Sequence, residues 1–441
     1  MPRRSIRLSL IAAMTAIAAL LVTSEAALAH DSGKRGDDPE IHQTGENFKG
    51  GDPGPKHTVQ TWTGVATNPE NGVTYRYRMV GVDPRTNRSA TIGVDIIPLV
   101  VNAGGQTFDG SESVAGVLAS PLFHSFDFSS TIYSTRRDPV TGVCCVVRPA
   151  GGTPFPLSSG NTGQLLDATM RAEFDKVGSR YHLYLDVHKV HDPITIDVPS
   201  TLGNVITSPV GVPAASVDSD WFQARVEGLL GELHLNPKRL AMFLTTDVVT
   251  YKDHNPAHCC ALGGHGAVDT DSHGDAASDS NRGGDHSMQT LVWASWFTPG
   301  LFGPKAWVMK DIVSLSHEVT EWAMDPFLNN EVQPWISTTA PQYGCVSELE
   351  TGDPTVNIGF SVGLPGANVY DKNPFASLGA PRNPFSDGTF HVEDEAFIPW
   401  FMRFPEDNEF SQPTQSGAGG RYTLMGDLNP IAQFHQPAAS C

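Results

Sequence analysis

Basic residues are scarce in this chain of 441 residues, in which 29 Lys and Arg stand against 48 Asp and Glu. The formal net charge at pH 7 is -19, and an acidic surface repels phosphate backbones and anionic lipid headgroups. Nucleic acid is therefore not an expected partner. Long apolar runs are missing after residue 22, so we expect no membrane span.

Several catalytic signatures are missing as well. The sequence has no G-x-S-x-G motif and no C-x-x-C pair, which argues against an α/β-hydrolase serine site and against a zinc knuckle. The glycine-rich segment Ala103–Gln106 lacks the lysine and serine of a phosphate-binding loop. Nucleotide binding is therefore not expected.

The six cysteines are unusually distributed. They form two adjacent pairs, Cys144-Cys145 and Cys259-Cys260, and two single residues, Cys345 and Cys441. An even number in an exported chain favours disulfides over a thiol nucleophile. The spacing does not select one pairing, so the connectivity stays open.

The first 29 residues have the organisation of a signal peptide. Three arginines precede an apolar run over residues 8–22, and Ala27-Leu-Ala29 supplies a small-x-small cleavage site. A membrane anchor is the alternative, but the run is shorter than the roughly 20 residues that span a bilayer. We expect cleavage near Ala29 and a secreted protein, either extracellular or periplasmic.

Composition divides the rest of the chain into a tail and a domain. Residues 30–60 are acidic and glycine-rich with little apolar content, so we expect them to be disordered. Residues 61–441 have enough apolar residues for one large globular domain. Its first half, 61–215, is β-rich, and its second half, 216–441, carries the motif described below.

Hydrophobic periodicity predicts both strands and helices. Two β-rich runs between residues 74 and 101 flank a polar turn and predict a hairpin. Further strands are expected at residues 181–188, 194–198 and 240–249, and amphipathic helices at 163–174, capped by Asn161-Thr162, and at 221–233. The predicted fold is α+β, with a central mixed β-sheet and packed helices. The Asp-rich segment 266–287 is expected to be a solvated loop, because it lacks calcium-loop spacing.

The segment Val313–Pro326 could carry chemistry, because it contains His317-Glu318-Val-Thr-Glu321. The pattern predicts a helix that Asp311 caps and Asp325-Pro326 ends. Residues four apart share a helix face, so His317 and Glu321 should point the same way. Glu318 lies about 100° around the helix, where it can act on a water as general base without being a ligand.

A divalent metal is the cofactor that this motif suggests. Zinc binds carboxylate oxygen at about the same distance as imidazole nitrogen, so Glu321 can replace the second histidine of H-E-x-x-H. A ligand set rich in carboxylates weakens the Lewis acid and admits manganese or calcium as alternatives to zinc. Further ligands are expected from Glu350 and Asp353, and from His265 in a glycine-rich block.

A structural interpretation of the same residues stays open. His317 could be a buried histidine that is hydrogen-bonded to Asp353 or Glu350, with Glu321 as a partner on the surface. The apolar residues between them would then form an ordinary core helix. His391 and the pair Arg421-Tyr422 are candidates for stabilising an oxyanion, although no spacing argument supports either.

Two blocks of the sequence carry a resemblance to known proteins. Ser316–Pro326 and Leu349–Pro354 resemble a group of uncharacterised exported bacterial proteins with S-H-E-x-x-E-(x)3-D-P followed by E-x-G-D. More distantly, the chain is similar to plant exordium, or phosphate-induced, proteins. The resemblance implies a zincin-like motif helix in the C-terminal half. It matches the same six residues to polar positions of the group: His265, His317, Glu318, Glu321, Glu350 and Asp353.

The predicted function is a secreted metal-dependent hydrolase of the metallopeptidase type. Glu318 is the expected catalytic base, and the substrate would be an extracellular peptide or a cell-wall-derived polymer. The alternative is a non-catalytic secreted binding or cell-surface protein with a structural metal or polar network at the same residues. The sequence does not predict an oligomeric state.

Overall fold

The computed structural model describes residues 55–127, 134–137, 144–147, 162–174, 176, 178–209, 211–270, 287–298, 300–301, 311–336, 345–355, 359–363 and 389–403. The predicted signal peptide, nearly all of the predicted tail and residues 271–286 of the Asp-rich segment lie outside these residues.

Strands make up most of the regular structure. They are β1 (Thr61–Thr67), β2 (Thr74–Val80), β3 (Ser89–Ala103), β4 (Gln106–Asp109), β5 (Phe126–Asp127), β6 (Ser134–Arg137), β7 (Cys144–Val147), β8 (Thr162–Gly163), β9 (His182–Val190), β10 (Ile194–Asp197), β11 (Gly203–Thr207), β12 (Pro213–Asp218), β13 (Leu240–Thr246), β14 (Val248–Tyr251), β15 (Cys259–Ala261), β16 (Gly263–Asp269), β17 (Met288–Trp296), β18 (Glu331–Ile336), β19 (Cys345–Glu348), β20 (Gly359–Gly363) and β21 (Thr389–Glu393). The helices are α1 (Ser111–Leu118), α2 (Leu165–Glu173), α3 (Ser219–Leu233), α4 (Val313–Met324) and α5 (Ile398–Phe401).

A mixed sheet forms the centre of the described structure, as predicted. Within the described residues it has seven strands, ordered β10-β3-β13-β17-β16, with β4 and β9 also paired to β3. Strands β9, β10 and β13 run parallel to β3, and β17 runs parallel to β13. Strand β16 closes one side antiparallel to β17. The α+β fold class is confirmed.

The central sheet separates two hydrophobic cores, because successive residues of β13 point to opposite faces. Met242 joins the core that contains Val319 and Trp322 of α4. Its neighbour Phe243 joins the core that contains Phe222 of α3. Helices α4 and α3 therefore lie on opposite faces of the sheet, and strands buried on both faces carry nearly continuous apolar residues.

The predicted hairpin between residues 74 and 101 is wrong, although both of its strands exist. Strand β2 pairs with β1 in a separate sheet, and β3 lies inside the central sheet. The polar turn between them contains a short 3-10 helix, Pro84–Thr86. Because the middle of β3 is buried on both faces, it pairs with other apolar strands, whereas β2 is buried only over its last four residues and pairs with β1.

The predicted strand over residues 240–249 is in fact two strands. Asp247 has a φ of 52° and separates β13 from β14, which belong to different sheets. The Asp247 carboxylate accepts hydrogen bonds of 2.7 Å from the backbone N and the Oγ1 of Thr298. Those bonds stabilise the break in the chain.

The other predicted elements are confirmed as α2, α3, β9 and β10. Asp218 caps α3 by accepting a 3.1 Å hydrogen bond from the Trp221 N–H. The predicted cap of α2 is wrong, because Thr162 belongs to β8 and Gln164 precedes the helix. Hydrophobic periodicity located this helix correctly, but Thr162 is paired in β8, so the helix begins after Gln164.

The sulfurs of Cys259 and Cys260 are placed as a vicinal disulfide, and Cys345 is also disulfide-bonded. Among the described residues, the helices are all too short or too polar to cross a membrane.

Candidate metal centre

Helix α4 carries the H-E-x-x-E motif through the interior of the protein. All 12 of its residues are buried, and it packs against β16, β17 and β21. It ends at Met324, with Asp325 as the C-cap before Pro326, as predicted. The motif therefore faces protein on every side.

The start of α4 differs from the prediction. Ile312 is the N-cap, and Asp311 stands outside the helix with a φ of 46°. The Asp311 carboxylate accepts a 2.6 Å hydrogen bond from the Ile312 N–H and lies 2.7 Å from Nδ1 of His391. Asp311 thus connects the helix start to β21, and His391 is engaged with it. The other oxyanion candidates, Arg421 and Tyr422, lie outside the described residues.

His317 and Glu321 meet on one face of α4, as the spacing predicted. His317 Nε2 lies 2.9 Å from Glu321 Oε2 and 3.9 Å from Asp353 Oδ1. The short contact to Glu321 is not aligned as a hydrogen bond, so the buried His317 Nε2 has no hydrogen-bond partner. Two atoms that each lie about 2.0 to 2.2 Å from one zinc ion are separated by roughly 3 Å or slightly more.

The other ring nitrogen of His317 contacts a residue that sequence reasoning missed. Nδ1 lies 3.3 Å from Oε2 of Glu393, at the end of β21. The Glu393 N–H donates a 3.0 Å hydrogen bond to Ser316 Oγ, which ties the strand to the helix. The signal for Glu393 was the acidic run Glu393-Asp-Glu395 directly after the apolar positions of a strand.

His265 lies on β16 and is fully buried beside the motif. Its Nδ1 lies 3.3 Å from Glu318 Oε2 and 3.6 Å from Glu321 Oε2, and its Nε2 lies 3.9 Å from Glu350 Oε2. Gly263 lies against the same carboxylate, because an added Cβ would overlap with Glu318. The glycines of this block therefore permit close approach to α4.

Glu350 and Asp353 come from the segment after β19. Their exposed fractions are 1% and 2%, and Asp353 begins the short 3-10 helix Asp353–Thr355. Between them, the Gly352 N–H donates a 2.9 Å hydrogen bond to Glu321 Oε1. An added Cβ at Gly352 would overlap with the His317 ring. The E-x-G-D turn is thus packed directly on the motif.

The six predicted site residues lie together, and the potential ligand atoms of five of them, all but Asp353, form two overlapping groups. The first group is His265, Glu321 and Glu350, and the second is His317, Glu318 and Glu321. The potential ligand atoms of each group lie within 4.8 Å of one another, and all are buried. These buried groups could hold a metal ion.

Without a bound cation, the buried carboxyl groups and the His317 ring of this cluster tend to keep their protons. Burial raises the pKa of Glu318, and burial together with Glu321 raises the pKa of Glu350 and Asp353 well above their ordinary values. Burial alone would lower the pKa of His317, but Glu321 and the other carboxylates raise it well above its ordinary value. A dication would displace these protons, because it stabilises carboxylate anions and binds neutral imidazole.

Lys252 is a second residue that the sequence did not indicate. It follows β14. Burial lowers the pKa of its amine to about 8, although the negative charge of Asp353 partly raises that pKa. Lys252 therefore adds a cation within electrostatic range of the carboxylates.

Asp325 lies one helical turn beyond Glu321 but has a structural role. Its carboxylate accepts hydrogen bonds of 3.0 and 2.9 Å from the N–H groups of Asn329 and Asn330. Those bonds order the turn that follows α4.

No family model, curated protein or solved structure matches the chain. The resemblance to exported bacterial proteins and to exordium proteins stays a prediction, and the candidate metal centre rests on its own geometry.

Proposed function

We propose that this protein is a secreted metal-dependent hydrolase with a metallopeptidase-like reaction. The main support is that two imidazoles and several carboxylates converge in the protein interior. One of the imidazole nitrogens, His317 Nε2, has no hydrogen-bond partner. Buried polar atoms nearly always have partners, so an unpaired ring nitrogen beside carboxylates points to a ligand. The signal-peptide pattern supports secretion.

The proposed roles follow from the positions of the side chains. His317 and Glu321 are the helix ligands, and His265, Glu350 and Asp353 are the ligands from other elements. When bound, the metal would supply Lewis acidity that polarises the attacked carbonyl and lowers the pKa of a water. Zinc is the expected ion, and the carboxylate-rich set also suits manganese or calcium.

Glu318 is the proposed general base. It takes a proton from water as the water oxygen bonds to the carbonyl carbon, and it then returns that proton to the amine nitrogen as the C–N bond breaks. Burial raises its pKa, which makes a carboxylate a better base near neutral pH. An extracellular peptide or a cell-wall-derived polymer is the proposed substrate class.

One observation favours a second function. The exposed fractions of His317, Glu318 and Glu321 are all 2% or less, and a fully buried site is typical of structural metals. The second candidate is therefore a non-catalytic secreted protein whose fold is stabilised by the same ion.

Elemental analysis of the purified protein after dialysis against metal-free buffer tests the proposal. We expect near-stoichiometric zinc or manganese that is lost in His317→Ala and kept in His258→Ala, a matched change at an exposed histidine. A folded protein without bound metal would overturn both functions.

Glu318→Gln separates the two functions. In a hydrolysis screen with peptide and cell-wall substrates, this variant should keep its metal and lose activity if Glu318 is the base. A matched change at the exposed Glu232, Glu232→Gln, should leave both unchanged. Hydrolysis that persists in Glu318→Gln would exclude its proposed role, and metal binding without any hydrolysis would favour the structural function.

A further inference from the structure

The potential ligand atoms of the candidate metal centre form two triads that share one residue. Glu321 belongs to both, with His265 and Glu350 in one triad and with His317 and Glu318 in the other. Building on the proposed function, in which Glu318 remains the base, we infer that the centre binds two divalent cations that are bridged by Glu321, one beside His265 and Glu350 and the other beside His317.

The division of the potential ligand atoms into two triads supports two ions. Ligand atoms that surround a single ion at about 2.0 to 2.2 Å must all lie close together. Among the described residues, the mutual proximity of 4.8 Å extends to three side chains and not to a fourth. His265 and His317 belong to different triads, so one ion cannot bind both rings without movement of the side chains.

The position of Glu321 suits a bridging ligand. Its Oε2 lies 2.9 Å from His317 Nε2 and 3.6 Å from His265 Nδ1, between the two rings. Its other oxygen, Oε1, accepts the hydrogen bond from Gly352 N–H, which fixes the orientation of the carboxylate. Ions in two-metal sites lie about 3.5 to 4 Å apart, a spacing that a single bridging carboxylate can span.

Each triad also contains a buried atom without a hydrogen-bond partner. In one triad it is His317 Nε2, and in the other it is Glu350 Oε2. Both residues are only 1% exposed, so bulk water does not replace the missing partner. An ion in only one triad would leave one of these two atoms unsatisfied.

The number of carboxylates in the buried cluster is compatible with two bound ions. Five carboxylates surround the two imidazoles within the buried cluster: Glu318, Glu321, Glu350, Asp353 and Glu393. Buried anions need nearby compensation. One dication offsets two of these five charges, whereas two dications offset four of them.

Metal stoichiometry of the full-length chain tests the inference. The protein is stripped with a chelator, titrated with zinc chloride in a calorimeter, and checked by elemental analysis. We expect two equivalents of zinc per chain for the wild type, and also for Glu232→Gln as the matched control. One equivalent in the wild type would overturn the inference and leave the proposed function standing, whereas none would overturn both.

Variants test which side chains hold each ion. Glu350→Gln preserves the shape of the side chain and should reduce the stoichiometry from two to one, whereas Glu321→Gln should reduce both binding events. A Glu350→Gln protein that still binds two equivalents would overturn the assignment.

A spectroscopic measurement on the wild type avoids any dependence on variant folding. The protein saturated with manganese should show the electron paramagnetic resonance spectrum of two spin-coupled Mn²⁺ ions. The spectrum of isolated Mn²⁺ ions at full saturation would contradict a bridged pair.

Discussion

The ring of His317 lies between two glutamates, with Nε2 2.9 Å from Glu321 Oε2 and Nδ1 3.3 Å from Glu393 Oε2. Glu321 is on the same helix, whereas Glu393 is 76 residues further along the chain. A carboxylate behind a metal-binding histidine fixes the tautomer and the ring orientation and increases the basicity of the ligand nitrogen.

Removal of the carboxylate behind His317 should weaken metal binding without abolishing it. We expect Glu393→Gln to lower zinc affinity by roughly 10- to 100-fold, the usual cost of losing such a partner. Competition with a chromophoric chelator measures this change, and circular dichroism verifies the fold. An affinity equal to that of Glu232→Gln would show that Glu393 does not support the histidine.

Gly352→Ala should destabilise the protein and lower its zinc affinity. The added Cβ would overlap with the His317 ring, and overpacking of this kind costs about 1 to 3 kcal/mol. Urea denaturation measures the free energy of unfolding, and the chelator assay measures zinc.

Gly228→Ala is the matched control for this substitution. Gly228 lies on the exposed side of α3, where an added Cβ has only Arg225 Nη1 nearby, at 3.8 Å. Alanine there should increase stability by about 0.5 to 1 kcal/mol because it has a higher helix propensity. Equal effects of the two changes would contradict the steric explanation.

The metal-free protein should lose stability as the pH rises. Burial raises the pKa of Asp325 from 3.8 to about 7, and it raises those of Glu350 and Asp353 in the same direction. The folded state therefore binds more protons than the unfolded chain, and this contribution to stability, complete below about pH 4, is lost as the pH rises through about 7.

Bound zinc should reverse that dependence, because the ligands bind the ion only when they are deprotonated. Melting temperatures of chelator-treated and zinc-saturated protein at about pH 5 and about pH 7.5 provide the comparison. The chelated form should melt at a higher temperature at the lower pH, and the zinc form at the higher pH. Parallel behaviour of the two forms would indicate that Glu350 and Asp353 do not bind the ion.

A buried acid away from the metal centre should limit stability at neutral pH. Glu173 is fully buried, its Oε1 accepts a 3.2 Å hydrogen bond from Ile398 N–H, and its Oε2 has no hydrogen-bond partner. Burial raises the pKa of Glu173 well above its ordinary value. We expect Glu173→Gln to stabilise the protein by about 1 kcal/mol at high pH, where the acid would otherwise have to ionise.

Denaturation at about pH 9 and about pH 5 provides the measurement. The gain from Glu173→Gln should shrink at the lower pH, because the wild-type side chain is then neutral as well. A gain that is independent of pH would exclude ionisation as its cause.

Local patterns made the motif helix predictable. The spacing of His317 and Glu321 fixes a common helix face, and the Asp325-Pro326 sequence fixes the end, so neither depends on distant residues.

Pairing between distant segments was not predictable in the same way. The hairpin prediction used only the proximity in sequence of β2 and β3, whereas burial of β3 on both faces determines its true neighbours. The contact of Glu393 with His317 depends on the packing of β21 against α4, which no local pattern encodes.

Gly263 and Gly352 contact adjacent residues of the motif helix, Glu318 and His317. If every residue of the chain is substituted in turn, replacement of either glycine should impair the protein as severely as replacement of a metal ligand. Because neither glycine takes part in the chemistry, the damage caused by substituting it would result only from the altered shape of the centre. A diagnostic signature for proteins with this centre should therefore contain both glycines, as G-x-H, H-E-x-x-E and E-x-G-D in that order.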